Sequence, residues 1–219
     1  MTVKITRKSM RTSLLVGLLA ASSLLSGCAF LLVGGAVAGG AMVAIDRRSS
    51  GTQIDDQTIE VKAGPRLREL LGDRGHVNVT SYNRLVLLSG EVPTDADKAA
   101  VEQGIARLDN VRSIVNELAV ATASSLTSRS NDALLTSKAK ATLVDAGDIS
   151  ANAFKLVTER GTVYLMGRVT EREATRAADL IRTIKGVQKV VRVVEIITDA
   201  ELAELQPGSV PKSAAGGNR

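Results

Sequence analysis

Tryptophan is absent from this 219-residue chain, cysteine and histidine occur once each, and two tyrosines and two phenylalanines bring the aromatic share to only 2%. Each scarcity removes a class of function. A single cysteine cannot close a disulfide within the chain. Without a second histidine or a second thiol, Cys/His metal clusters and Cys–His nucleophile pairs lack their usual parts. No Gly-rich phosphate loop surrounds either Gly90 or Gly167. The acidic pairs Asp55-Asp56 and Glu171/Glu173 fall where helices are expected to begin, and there they favour the positive end of the helix dipole. The sequence therefore predicts no enzyme, no cofactor and no metal, with His76 at a solvent-exposed or rim position where an apparent strand begins.

Charge of one sign is also scarcer than it first looks. The chain carries 28 basic and 23 acidic residues, net +5, a balance that could suggest a nucleic-acid partner. Four of the basic residues, Lys4, Arg7, Lys8 and Arg11, lie ahead of an uncharged run from Thr12 to Ile45. A basic start followed by an apolar stretch ending in small residues is the layout of a secretory signal peptide. An uncharged run well beyond about 20 residues could also span a bilayer. "Leu25-Ser26-Gly27-Cys28" discriminates, because it resembles the lipobox of bacterial lipoproteins. The resemblance implies a diacylated Cys28, removal of residues 1–27 and acylation of the new N-terminus; Ala29 after the cysteine implies export to the outer membrane. Acyl chains in that number hold a protein stably, since one chain alone binds membranes only marginally. Loss of the four leader cations would leave 24 basic against 23 acidic residues, so nucleic acid drops out as a partner. Residues 28–54 then form an acylated, apolar linker. Within it, Gly35 and Gly39 have the G-x-x-x-G spacing of close helix packing in lipid, or belong to a flexible apolar segment near the membrane surface.

Beyond Asp46 a repeat appears. Residues 55–120 lie over 131–196 at separations of 76 and 77: "DDQTIEVKAGPRLRELL" over "NDALLTSKAKATLVDAG", "RLVLLSGEV" over "GTVYLMGRV", and "DADKAAVEQGIARLDNV" over "EREATRAADLIRTIKGV". Each copy begins with an amphipathic helix, marked by Ile59, Ala63, Leu67 and Leu70 or by Leu135, Ala139, Leu143 and Ala146. Two β-rich runs follow, turning at Tyr82-Asn83 and at Arg160-Gly161. A second helix opens at Thr94 or Thr170, with Thr170 and Glu173 spaced as a capping box and Asp97 in the matching place. A last strand, "VRSIVNELAV" or "VQKVVRVVEI", closes the unit. The expected fold is α+β: two tandem αββαβ domains at 55–121 and 131–198, each a three-stranded mixed sheet with two helices on one face. Gly90 and Gly167, ending the second strands, suggest a bulge or a close backbone approach. Gly64-Pro65 should distort the first helix. Residues 122–130 form a short polar linker, and 199–219 lose periodicity as a disordered tail is expected to.

Paired units with "LxGxV" ending the second strand resemble BON domains, named from bacterial osmotic-stress and nodulation proteins. The resemblance extends to the dual-BON outer-membrane lipoproteins through the lipobox at Cys28, "DRRSSGTQIDDQTIEV" at 46–61, "NVTSY" at 78–82 and "LVTERGTVYLMGRVTEREATRAAD" at 156–179. It covers the chain from Cys28 to about Thr198. It implies a lipid-anchored protein of the outer membrane facing the periplasm. It also implies anionic phospholipid, such as phosphatidylglycerol, bound by the second domain, and a role in envelope maintenance. Support of outer-membrane assembly or contact with cell-wall-remodelling proteins is the alternative it carries, as a protein-interaction adaptor.

Charge agrees with an unequal pair. Residues 55–121 are net −3 and residues 131–198 net +3, so an anionic surface attracts the second copy. At 100° per residue, Leu135, Ala139, Thr142 and Leu143 share the core face of the helix after 131. Leu134, Ser137, Lys138, Ala141 and Val144 look outward with Lys140 at the flank. This apolar-plus-basic face is the candidate phospholipid contact. The family carries an aromatic near Leu134.

Overall fold

A computed structural model describes residues 46–205. The lipobox, Cys28, the signal peptide and the segment up to Ile45 lie outside the described residues, as do residues 206–219. Helix α1 spans Ser50–Leu71, strands β1 and β2 span His76–Tyr82 and Leu85–Val92, and α2 spans Asp95–Ala106. β3 (Ser113–Asn116) and the two-residue β4 (Ala119–Val120) complete the first copy. The second copy comprises α3 (Leu126–Ala146), a 3-10 turn (Ala151–Ala153), β5 (Phe154–Glu159), β6 (Thr162–Val169), α4 (Glu171–Arg182) and β7 (Lys189–Ile196); α5 (Asp199–Glu204) follows. In each copy the central strand pairs antiparallel with its hairpin partner and parallel with the last strand. The expected αββαβ mixed sheet is present twice.

Alternation along the strands sends one set of side chains toward each face. Val86, Leu88 and Val92 of β2 meet Ile59 and Ala63 of α1 and Val101 and Ile105 of α2. Val163, Leu165 and Val169 of β6 likewise meet Ala139 and Leu143 of α3 and Ala174, Ala177 and Ile181 of α4. The opposite faces are apolar too. Tyr82 and Leu87 of the first sheet pack with Tyr164, Met166 and Val193 of the second. Both copies fall within a single compact unit, as two sheets back to back with helices outside. Burial pushes the Tyr164 hydroxyl up to about 12.

Asp56 and Asp132, pseudo-equivalent at a separation of 76, explain how each first helix grips its hairpin. Asp56 is buried in α1 and accepts the Asn83 and Arg84 amides at 2.8 and 2.7 Å, the Ser81 hydroxyl at 2.6 Å and the Arg48 guanidinium at 2.7 Å. Asp132 accepts the amides of Arg160 and Gly161 at 2.9 and 2.8 Å. All four turn residues have positive φ, the conformation a two-residue type I′ hairpin demands.

Several expectations need correction. Asp55-Asp56 does not open a helix: α1 begins at Ser50, its Ser49 cap accepts from the Thr52 amide, and no acidic residue lies in the first turn. The first turn falls on Asn83-Arg84 rather than Tyr82-Asn83, held there by the Asp56 carboxylate. Gly64-Pro65, expected to distort α1, lies within it, and the helix runs on to Leu71. The ring sits on the exposed side, and Val61, whose carbonyl loses its helical partner, is 75% exposed, so water can replace the missing donor. The start of the expected tail is helical: Thr198 and Glu201 form a capping box that opens α5.

Candidate membrane-facing site

The outward face of α3 is present as the periodicity requires. Leu134 and Val144 are each 59% exposed, with Ser137, Lys138 and Ala141 exposed between them, while Leu135, Ala139 and Leu143 are buried. Lys140 differs from its neighbours. Its ammonium turns back to donate to the Ala151 carbonyl at 3.0 Å and the Phe154 carbonyl at 3.4 Å, and burial pulls its pKa below the ordinary lysine value. It belongs to the scaffold of the 3-10 turn more than to the open face.

Two grooves flank that face. One, of about 550 Å³, has Leu134, Lys138, Arg160, Gly161, Gly186 and Gln188 among its walls. The other, of about 790 Å³, brings Ser137, Lys140, Ala141 and Val144 beside Asp46 and Arg48. The described chain thus begins alongside the face. Its entry is clipped to the second copy, where the Arg47 guanidinium forks onto Glu173 at 2.8 and 2.7 Å and Arg168 donates to the Arg47 carbonyl at 3.0 Å. Burial raises the Glu173 pKa, but the Arg47 hydrogen bonds and the Thr170 cap outweigh it and hold the carboxyl below its ordinary value.

The walls of the first groove include two cations, Lys138 and Arg160, and one carboxylate, Asp132, which is taken up by the backbone amides of Arg160 and Gly161. Where α1 has Lys62 locked on Asp109 at 2.7 Å, α3 has Lys138, which makes no ion pair among the described residues, and Asp109 is replaced by the exposed Lys185. Asp55, which accepts from Asn110 in the first copy, becomes Asn131, and Asn83 of the first turn becomes the exposed Arg160. The sequence marks Arg160 as a turn residue only and gives Lys185 no role. The 76- and 77-residue offsets were the signal that could have found them.

Gly90 and Gly167 stand away from this face as the points where backbones approach most closely. A Cβ on Gly90 would lie 2.1 Å from the His76 carbonyl oxygen, and one on Gly167 would lie 2.4 Å from that of Ala153. His76 itself lies part-exposed on the wall of a cleft. Its side chain is 21% exposed, and Nδ1 lies 3.5 Å from Glu91 Oε2 and 4.0 Å from Glu159 Oε1. The fold thereby gathers a His/Glu/Glu group whose members are far apart in sequence, where the lone histidine had implied no ligand set.

No described helix is long and apolar enough to cross a membrane. The BON domain family model matches residues 55–122 and again residues 131–198. Outer membrane lipoprotein DolP of Haemophilus influenzae is 39% identical over 179 residues, covering 80% of this chain and 92% of that protein. A 21 kDa hemolysin of Actinobacillus pleuropneumoniae is 31% identical over 155 residues, 70% of this chain and 80% of the relative. CdsD, a structural protein of the type III secretion system of Chlamydia trachomatis, aligns over 68% of this chain and 99% of its own at 12% identity, with a TM-score of 0.28. No catalytic family is indicated by these matches. This chain belongs to the BON domain family as a tandem pair, and its similarity to DolP supports an outer-membrane lipoprotein with a role in the cell envelope.

Proposed function

We propose that this protein is anchored in the outer membrane through an acylated Cys28, faces the periplasm, and binds anionic phospholipid through α3 of its second domain. The observation that carries the reading is the charge reversal around pseudo-equivalent helices. Lys62 is neutralised by Asp109, whereas Lys138 stands beside the exposed Leu134 with Arg160 and Lys185 at the same end of the domain. Phosphate oxygens of a lipid headgroup are the natural counter-charge for those cations, while Leu134 and Val144 enter the acyl boundary. The start of the described chain lies beside the other groove that flanks α3, which suits a body held close to the bilayer by its N-terminal side.

Two experiments test the two halves of this reading. Palmitate labelling of the whole chain should be lost in Cys28→Ala; labelling that persists would remove the anchor. For the lipid face, an anchor-free chain of residues 46–205 is co-sedimented with phosphatidylglycerol or phosphatidylcholine vesicles. Lys138→Glu should reduce binding to the anionic vesicles about thirtyfold, since two units of charge change at roughly 1 kcal/mol each near the surface. Raised salt should mimic that loss, since screening acts within a Debye length of about 8 Å. Leu134→Ser should weaken binding with less salt dependence. Equal binding of the unmutated chain to both vesicles would instead favour a protein-interaction adaptor, for which Ile54 and Val61, exposed at 64% and 75% on the acidic first domain, offer a surface.

A further inference from the structure

We propose that His76, Glu91 and Glu159 bind one divalent transition-metal cation, best matched by zinc, at the seam between the two domains. His76 and Glu91 face each other across the β1–β2 ladder, and both project toward the second sheet. Glu159 ends β5 and meets them from the other domain. One ligand atom from each residue can be chosen so that all lie within 4.8 Å of one another. A tetrahedral zinc site with bonds of about 2.0–2.2 Å places its ligand atoms roughly 3.3–3.6 Å apart. The 3.5 and 4.0 Å separations from Nδ1 lie near that range, and the 4.8 Å bound on the set asks the side chains to close by at most about 1.5 Å.

Charge balance points to a cation more firmly than proximity does. The described residues include five buried carboxylates. Asp56 and Glu173 have arginine partners, and Asp132 has two backbone amides. Glu91 and Glu159 have neither an arginine nor a lysine. Glu91 is fully buried; one of its oxygens accepts from the Ser124 amide at 3.1 Å, and the other has no hydrogen-bond partner. His76 Nδ1, turned toward the two carboxylates, is buried and unpartnered as well. A buried charge left unpaired is costly, and a dication offsets both carboxylates at once.

The surroundings meet the remaining requirements of a metal site, oriented ligands and an entry path. Asn78 Nδ2 donates to Glu159 Oε2 at 2.9 Å and the Ser124 amide to Glu91, each fixing a carboxylate from outside. A cleft of about 390 Å³ lined by His76, Asn78, Arg129, Asp132 and Glu159 connects the group to solvent and can supply water as a fourth ligand. Arg129, the one cation on that wall, donates to the Ser124 hydroxyl at 3.3 Å and is not paired with either glutamate. One imidazole and two carboxylates suit zinc or manganese better than calcium or magnesium, and zinc lies above manganese in affinity order. Because the ligands come from both domains, the ion would fasten one to the other.

The test uses the full chain in detergent, without a polyhistidine tag and stripped of metal by chelation. Zinc chloride titrated calorimetrically should bind at one equivalent and raise the unfolding midpoint, with magnesium chloride binding at least tenfold more weakly. Cobalt(II) should give the visible absorption of a low-symmetry N/O site. His76→Gln and Glu159→Gln should each weaken zinc at least tenfold and abolish the cobalt signal, while circular dichroism stays unchanged; the part-exposed His76 is the variant that keeps its fold. The absence of saturable zinc binding overturns the proposal. So does zinc or cobalt binding undiminished in folded His76→Gln, which would place the ion elsewhere.

Discussion

The two BON domains share one backbone plan and differ in what their first helices offer the outside. Apolar exposure does not separate them: α1 presents Ile54 and Val61, and α3 presents Leu126, Leu134 and Val144. Electrostatics does. On α1, Lys62 pairs with Asp109 and Arg66 with Glu69; in the second copy Lys185 and Arg160 occupy the repeat positions of Asp109 and Asn83, and Arg160 lines one groove with Lys138. Among the described residues both of these α1 cations are paired, whereas Lys138 of α3 makes no ion pair. A second contrast concerns the parallel strand. Gly90 has φ +113 and the strand opposite is interrupted between β3 and β4, whereas Gly167 keeps an ordinary φ and β7 pairs over its whole length. The second domain thus carries the more continuous sheet beneath the face proposed to meet lipid.

The sharpest way to break the comparison is at the helix–hairpin clasp. Asp56→Ala strips four donors, one of them Arg48, and should cost about 3–5 kcal/mol in a urea unfolding measurement, the scale of breaking a buried ion pair. Asp132→Ala frees only two amides and should cost about 1–3 kcal/mol. Equal losses would mean that the two clasps are equivalent and that Arg48 adds nothing.

The Arg47–Glu173 clip should follow with a pH signature. The Glu173 pKa is lowered in the folded chain, so its contribution is present above the ordinary glutamate value of 4.5 and is lost as pH falls below it. Arg47→Ala should lower stability at neutral pH by about 3 kcal/mol, as removal of one partner of a buried pair does. The difference from the unmutated chain should shrink as pH falls below that value. A difference that stays constant across that range would assign the clip no electrostatic role.

A smaller effect is expected at Pro65. Pro65→Ala restores a donor for the Val61 carbonyl and should stabilise the first domain by roughly 1–2 kcal/mol, less than the full cost of about 3 for an interior proline, because that carbonyl is already at the surface. No gain in unfolding midpoint would show that the helix absorbs the proline without loss.

Much of this structure is legible in local sequence. The 76-residue offset, the Thr170–Glu173 cap and the 3.6-residue spacing of Leu135, Ala139 and Leu143 each depend on residues close together in the chain, and the structure shows the corresponding repeat, capping box and buried helix face. The continuous apolar runs "LVLL" and "VYLM" also held a signal for strands buried on both faces, which the back-to-back sheets explain. What local patterns could not supply is long-range pairing. Asp56 is read as a helix-start acid until Asn83 and Arg84 are seen beneath it, Lys140 as a free cation until it meets Phe154, and His76 as a rim residue until Glu159 arrives from the other domain. In each case the partner's position is set by tertiary packing rather than by spacing.

The central claim is that an unpaired positive rim, and not exposed apolar surface, makes the second domain the membrane-facing one. Lys185→Asp places an acid where Asp109 closes Lys62 in the first domain, without touching α3 or the core. Co-sedimentation of residues 46–205 carrying this change on phosphatidylglycerol vesicles should fall about tenfold or more, since two units of charge are reversed at roughly 1 kcal/mol each, while Lys62→Glu leaves binding unchanged. Undiminished sedimentation of Lys185→Asp, or a loss confined to Lys62→Glu, would contradict the account.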